Sequence, residues 1–181
     1  MRRRTTASLI ASVLLSGLLA GCTFMPSAQR PPAGDPSPSG PVRSIDESVE
    51  AIQAIDGVTA RIARANDGSR GYLSVNVELD EAFTAEIAAG DGETRDAALL
   101  DFVLGQVWSQ GEESPEQYVT LGVTGAGRDQ AAVTAALAQI GVSAIPYSGQ
   151  SVSLKLADLE SRYGSWPGAV PELPATFGGT G

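Results

Sequence analysis

The stretch Tyr72-Leu73-Ser74-Val75-Asn76-Val77-Glu78-Leu79 decides the architecture. Leucine or valine occupies every second position from 73 to 79, and Tyr72, Ser74, Asn76 and Glu78 fill the places between. A β-strand turns successive side chains to opposite faces, so this alternation predicts a strand with one apolar and one polar face. Upstream, Val58, Ala60 and Ile62 alternate with Thr59 and Arg61, and Asn66-Asp67-Gly68 supplies a turn. The two segments are predicted to pair as an antiparallel hairpin.

Outward from the hairpin the pattern turns helical. Ser44-Ile45-Asp46-Glu47 has the capping-box form, and Ile45, Val49, Ile52 and Ile55 recur at helical spacing before Gly57, predicting a helix over about 45–56. From Asp80 to Glu93 the pattern lapses, which predicts an irregular acidic loop. Thr94 is placed to cap a helix to about Gln110, with Leu100, Val103, Leu104 and Val107 on its buried stripe. A third strand is expected at Tyr118–Thr124, and a third helix at Asp129–Ile140 packing through Val133, Leu137 and Ile140. Val152, Leu154 and Leu156 predict a fourth strand, and Asp158–Tyr163 a short helix. A strand–helix–strand crossover sets strands two and three parallel, whereas the hairpin is antiparallel. The expectation is an α+β domain with a mixed four-stranded sheet and helices mainly on one face. Its element order resembles part of a ferredoxin-like α/β plait and the small αββαβ domains of bacterial envelope proteins. A plait would want a further strand before the first helix, where only Pro41-Val42-Arg43 is available.

The N-terminus reads as an address. Arg2, Arg3 and Arg4 precede a largely apolar stretch from Ala7 to Ala20, too short for the roughly 20 apolar residues of a membrane span but of signal-peptide length. Leu19-Ala20-Gly21-Cys22 resembles the lipobox of bacterial lipoproteins. That resemblance implies diacylglyceryl transfer to the Cys22 thiol, cleavage before it, and a mature protein held on the outer face of the cell membrane. Two acyl chains anchor stably, because each buried CH₂ contributes ~0.8 kcal/mol. Thr23 to Arg43 contains six prolines with Gly and Ser between them, a composition that builds no core and favours extended conformations. The chain therefore divides into a signal peptide (1–21), a lipidated Cys and Pro-rich tether (22–43), the α+β domain (44–164) and a Pro/Gly-rich tail (165–181).

Composition excludes several chemistries. Removal of residues 1–21 takes three arginines and leaves 9 basic against 21 acidic side chains, a net charge of −12. Such a charge opposes nucleic-acid binding, which rests on basic residues neutralising phosphates. The sequence has no histidine, so Ser-His-Asp and Cys-His mechanisms and the common zinc sites are excluded. With Cys22 lipidated no thiol remains for redox or nucleophilic work, and no motif calls for a cofactor.

Among candidate sites, Thr124-Gly125-Ala126-Gly127-Arg128-Asp129 opens like a dinucleotide-binding turn. Its sixth position is Gln130, and no acidic residue lies between Gln130 and Ala157, so a tight strand-to-helix turn explains the glycines better. Gly125, Gly127 and Arg128 are kept as a candidate anion-binding turn. Asp80, Glu81, Asp91, Glu93 and Asp96 cluster without EF-hand spacing and read as a solvated acidic loop. Glu112, Glu113 and Glu116 flank a turn, but carboxylate separation across a cleft, not adjacency in sequence, defines a glycosidase. Tyr72, Ser74, Asn76 and Glu78 make the candidate interaction surface, provided that no second layer covers the strand's polar face; Trp108 is a candidate aromatic anchor for a partner, although Trp108, Trp166 and Tyr163 read first as satellite core packing. Two functions compete: a non-catalytic envelope lipoprotein that binds a protein or wall ligand, and a carboxylate-dependent hydrolase of cell-wall glycan. The hydrolase needs two facing acids, one with its pKa raised by burial.

Overall fold

The structure, a computed structural model, describes residues 42–83 and 92–178. Helix α1 (Ile45–Gln53) opens the domain and is followed by β1 (Val58–Asp67) and β2 (Arg70–Leu79). Helix α2 (Gly92–Trp108), β3 (Tyr118–Thr124), α3 (Gln130–Gln139), β4 (Ala144–Pro146), β5 (Val152–Lys155) and α4 (Leu156–Tyr163) complete it. The sheet has five strands in the order β1-β2-β3-β5-β4. β2 and β3 are parallel, and the other neighbouring pairs are antiparallel. The chain is thus α+β with a mixed, open sheet.

The Ser44 capping box is present: its hydroxyl accepts from the Glu47 N–H, and the Glu47 carboxylate accepts from the Ser44 N–H at 2.8 Å. The hairpin register places Ile62 opposite Val75 and Arg61 opposite Asn76, so the alternating residues sort onto two faces. The turn closes on Gly68, whose φ of +67° favours glycine, directly after β1 ends at Asp67. Val58, Ala60 and Ile62 of β1, Leu73, Val75, Val77 and Leu79 of β2, Val119, Leu121 and Val123 of β3, and Val152 and Leu154 of β5 are all buried. They meet Ile52 of α1, Leu99, Leu100, Val103, Leu104 and Val107 of α2, and Val133 and Leu137 of α3 in one core. Burial of each such side chain contributes about 1.5–3 kcal/mol, which makes this face the main source of stability.

Four expectations need correction. A fifth strand, β4, extends the sheet; three residues ending in proline carry no alternation to read. Leu156 opens α4 rather than closing a strand, because β5 ends at Lys155. Helix α2 begins at Gly92, so Thr94 lies in its first turn and does not cap it. Arg43, in the segment where a plait would have a strand, makes only an isolated bridge to Gln110. The Pro/Gly-rich segment after Gly164 lies against the helices as far as residue 178. Gln106 donates to the Pro171 carbonyl, Trp166 packs edge-on against Trp108 at 5.1 Å, and Phe177 stacks on Phe83 at 6.1 Å.

Candidate functional site

The face of the sheet away from the helices carries the intervening residues of each strand. One row across all five strands reads Ala63, Ser74, Thr120, Ser153 and Ile145. Arg61, Asn76 and Gly122 form the next row, and Thr59, Glu78 and Thr124 the one beyond. Most of these side chains are exposed or half-buried. The candidate surface of Tyr72, Ser74, Asn76 and Glu78 is therefore an open face, extended by residues of β1, β3 and β5.

Two features give this face shape. At one end Arg61, Asn76, Glu78, Gly122 and Thr124, with Gln53 from the end of α1, line a concavity of about 440 Å³. Gly122 makes the room: a Cβ there would lie 2.8 Å from Asn76 Oδ1 and 3.0 Å from Ser151 Oγ. At the other end stand three tyrosines. The Tyr72 and Tyr118 ring centroids are 5.0 Å apart, and Tyr118 and Tyr147 are 5.8 Å apart. The Tyr118 hydroxyl donates to Asp67 Oδ2 and shares a hydrogen bond with the Tyr147 hydroxyl, each at 3.4 Å. That bond to Tyr147, burial, and the nearby Asp67 charge all push the Tyr118 phenol above its ordinary pKa. It stays a neutral donor.

Other predicted site residues have structural work. Trp108 is 3% exposed and its indole N–H donates to the Gly164 carbonyl at 2.7 Å, so it is a core residue and not a surface anchor. Arg128 is 8% exposed; its guanidinium takes Asp96 in a fork at 3.1 and 2.9 Å and the Ala126 carbonyl at 2.7 Å. Asp129 caps the N-terminus of α3 through the Ala132 N–H. The turn at Gly125 and Gly127 thus has its cation neutralised and its helix end capped from within, which corrects the anion-binding expectation. Asp80 accepts from the Ala82 and Phe83 N–H groups, while Asp96 serves Arg128. Asp91 lies outside the described residues. Glu112 pairs with Arg64 at 3.0 Å, and Glu116 accepts from the Gly71 N–H. Among the described residues, no group of three or more acidic, Cys or His side chains gathers at metal-binding spacing.

A second concavity, of about 480 Å³, does bring two carboxylates together, Asp101 and Glu172, beside Arg162 and Tyr163. Arg162 grips Asp101 through two bonds of 2.7 and 2.6 Å, and the Tyr163 hydroxyl donates to it at 2.8 Å. Burial raises the Asp101 carboxyl, but these hydrogen bonds outweigh it and hold it below the ordinary carboxylate range. Asp101 is therefore an ion-pair anchor, the opposite of a proton-donating acid.

Cys22 and the Pro-rich tether as far as residue 41 lie outside the described residues. No helix among the described residues is long and apolar enough to cross a membrane. Comparison with family models, curated proteins and solved structures finds no match to this chain.

Proposed function

We propose that this chain is a membrane-anchored envelope lipoprotein whose folded domain is a non-catalytic binding module working through the open face of its sheet. The observation that carries the reading is that face: five strands wide, uncovered by a second layer among the described residues, mostly polar, and shaped by a concavity and a row of tyrosines. Interfaces are enriched in tyrosine, whose ring supplies contact area while its hydroxyl satisfies polar groups. The lipobox at Leu19–Cys22 supplies the anchor in this reading, and the tether the reach. The alternative, a hydrolase of cell-wall glycan, would rest on Asp101 and Glu172, and the fork from Arg162 opposes it.

The test uses the full chain in an expressing bacterium, with a photo-crosslinking residue at Ser74 on the open face or at Glu160 on α4. Capture of an envelope component from position 74 and not from 160 is expected. Equal capture from both, or capture from 160 alone, would overturn the assignment of the face. For the anchor, labelled fatty acid should enter the wild-type chain and not Cys22→Ser; equal labelling of the two removes the lipoprotein reading.

A further inference from the structure

Eight basic side chains lie among the described residues. Five are engaged: Arg64, Arg128 and Arg162 in ion pairs, Arg43 with Gln106, and Arg95 over the Phe83 ring at 4.6 Å. The remaining three, Arg61, Arg70 and Lys155, make no hydrogen bond, ion pair or ring contact within the described residues. All three stand on the open face: Arg61 opposite Asn76, Arg70 two residues before Tyr72 on the same strand, and Lys155 opposite Tyr118. Three carboxylates lie near them: Asp67, opposite Arg70 in the hairpin and accepting from Tyr118, Glu78 beyond Arg61, and Asp158, whose charge Lys155 favours. In a chain of formal net charge −9, three cations that make no direct ion pair within the described residues are gathered on one surface.

We infer that the open face binds an anionic polysaccharide, a glycan bearing carboxylate or phosphate groups; this rests on the binding-face reading above and names its ligand. Three features fit that chemistry together. These three cations complement its charge and, with the low-dielectric sheet behind them, steer it to this face against the acidic remainder. Between them the floor is low: Gly122 has no side chain, Thr120 is buried with its hydroxyl on the Leu73 carbonyl, and the half-buried Ser74 and Ser153 offer hydroxyls without bulk. The tyrosine rings supply flat apolar surface for the C–H faces of sugar rings, with hydroxyls at their rims. A bilayer would ask for an inserting apolar face, whereas the exposed large apolar side chains here are Ile145 and Tyr147 alone among the described residues of the face. An acidic protein would match the charge but not the hydroxyl floor.

The experiment measures binding of the full chain, purified in detergent, to polygalacturonate, to its fully methyl-esterified form, and to polyglutamate. Polygalacturonate is expected to bind at least about tenfold tighter than either, and to weaken as salt is raised. The variant Arg61→Ser/Arg70→Ser/Lys155→Ser should lose about tenfold in that affinity with an unchanged melting temperature, since all three side chains are exposed. Tyr147→Ala should lose several-fold, and Arg64→Ser, which removes a cation already paired with Glu112, should bind as wild type. Equal binding of the uncharged ester, preference for polyglutamate, or no saturable binding of polygalacturonate overturns the inference. Should the glycan fail while capture from Ser74 persists, only the ligand assignment falls; loss of both removes the binding face as well.

Discussion

Val75 and Asn76 are neighbours in one strand and belong to different environments. Val75, fully buried, stands between Ile62 and Leu121 under the helices; Asn76, exposed, stands between Arg61 and Gly122 above open solvent. The same contrast runs across the whole sheet. On the helix side a polar group persists where it has a partner, as Ser48 and Ser109 do in donating to the Gln106 carbonyl. On the open side polar groups stand at the surface, where some bond one another or the strands beneath, as Asn76 does in donating to Ser74 and Thr124 in donating to the Val77 carbonyl. Stability lives on one face; recognition, in the function proposed above, falls to the other.

The sharpest way to break that comparison is to put the same charge on each side. Val75→Asp buries an unpaired carboxylate and should cost about 4 kcal/mol or more, whereas Asn76→Asp should stay within about 0.5 kcal/mol. Thermal melts of the two variants check this, and similar midpoints would mean that the faces are misassigned. Next in size is Asp96→Ala. It strands the buried Arg128 guanidinium and should cost about 3 kcal/mol, less than Val75→Asp because one bond to Ala126 remains. Denaturant midpoints measure it, and a loss below about 0.5 kcal/mol, the level of an ordinary exposed pair, would show that Arg128 reaches water.

How far the comparison was legible depended on the range of the interaction. Alternation in β2 and β3 assigned both faces of both strands, because it is written in consecutive residues. The members of the open face that alternation did not supply are Tyr147, beyond a three-residue strand, and the register that brings it to Tyr118. Which cations are spoken for was equally hidden: the partners of Arg128, Arg64 and Arg162 lie 32, 48 and 61 residues away in sequence. Proline and glycine made the segment after Gly164 look structureless, though Trp166 and Phe177 within it were a signal that apolar area there needed a surface to cover. Trp108 allowed both a core and a surface reading, and its burial decides for the core, since an aromatic at a helix end reads alike whether or not a later segment buries it.

Gln110 tests the rule from the buried side. It is 0% exposed, and neither its amide nitrogen nor its amide oxygen has a hydrogen-bond partner among the described residues. A buried amide left unmatched costs about 1–3 kcal/mol. Gln110→Met keeps the length and removes both polar atoms, so it should stabilise by about 1 kcal/mol and raise the melting temperature by a few degrees. A lower melting temperature would mean that the amide is satisfied by water within the core.

The smallest expected effect separates binding module from hydrolase. Asp101 is held below the ordinary carboxylate range by Arg162 and Tyr163 against the contrary pull of burial. A depressed folded pKa contributes stability that is present above the unfolded value, about 3.9, and disappears as pH falls through the folded one. Wild type should therefore exceed Asp101→Asn in stability at neutral pH, by less than about 1 kcal/mol because the pair is roughly one-third exposed. The gap should close on acidification below about pH 4. A carboxyl poised as a general acid would behave in the opposite sense: its raised pKa would make the protonated form the more stable, and Asp101→Asn would gain on wild type as pH rises towards neutrality. Urea midpoints of the two proteins across that range decide the sign. A gap that widens in the asparagine variant's favour at neutral pH would return Asp101 and Glu172 to candidacy as a catalytic pair.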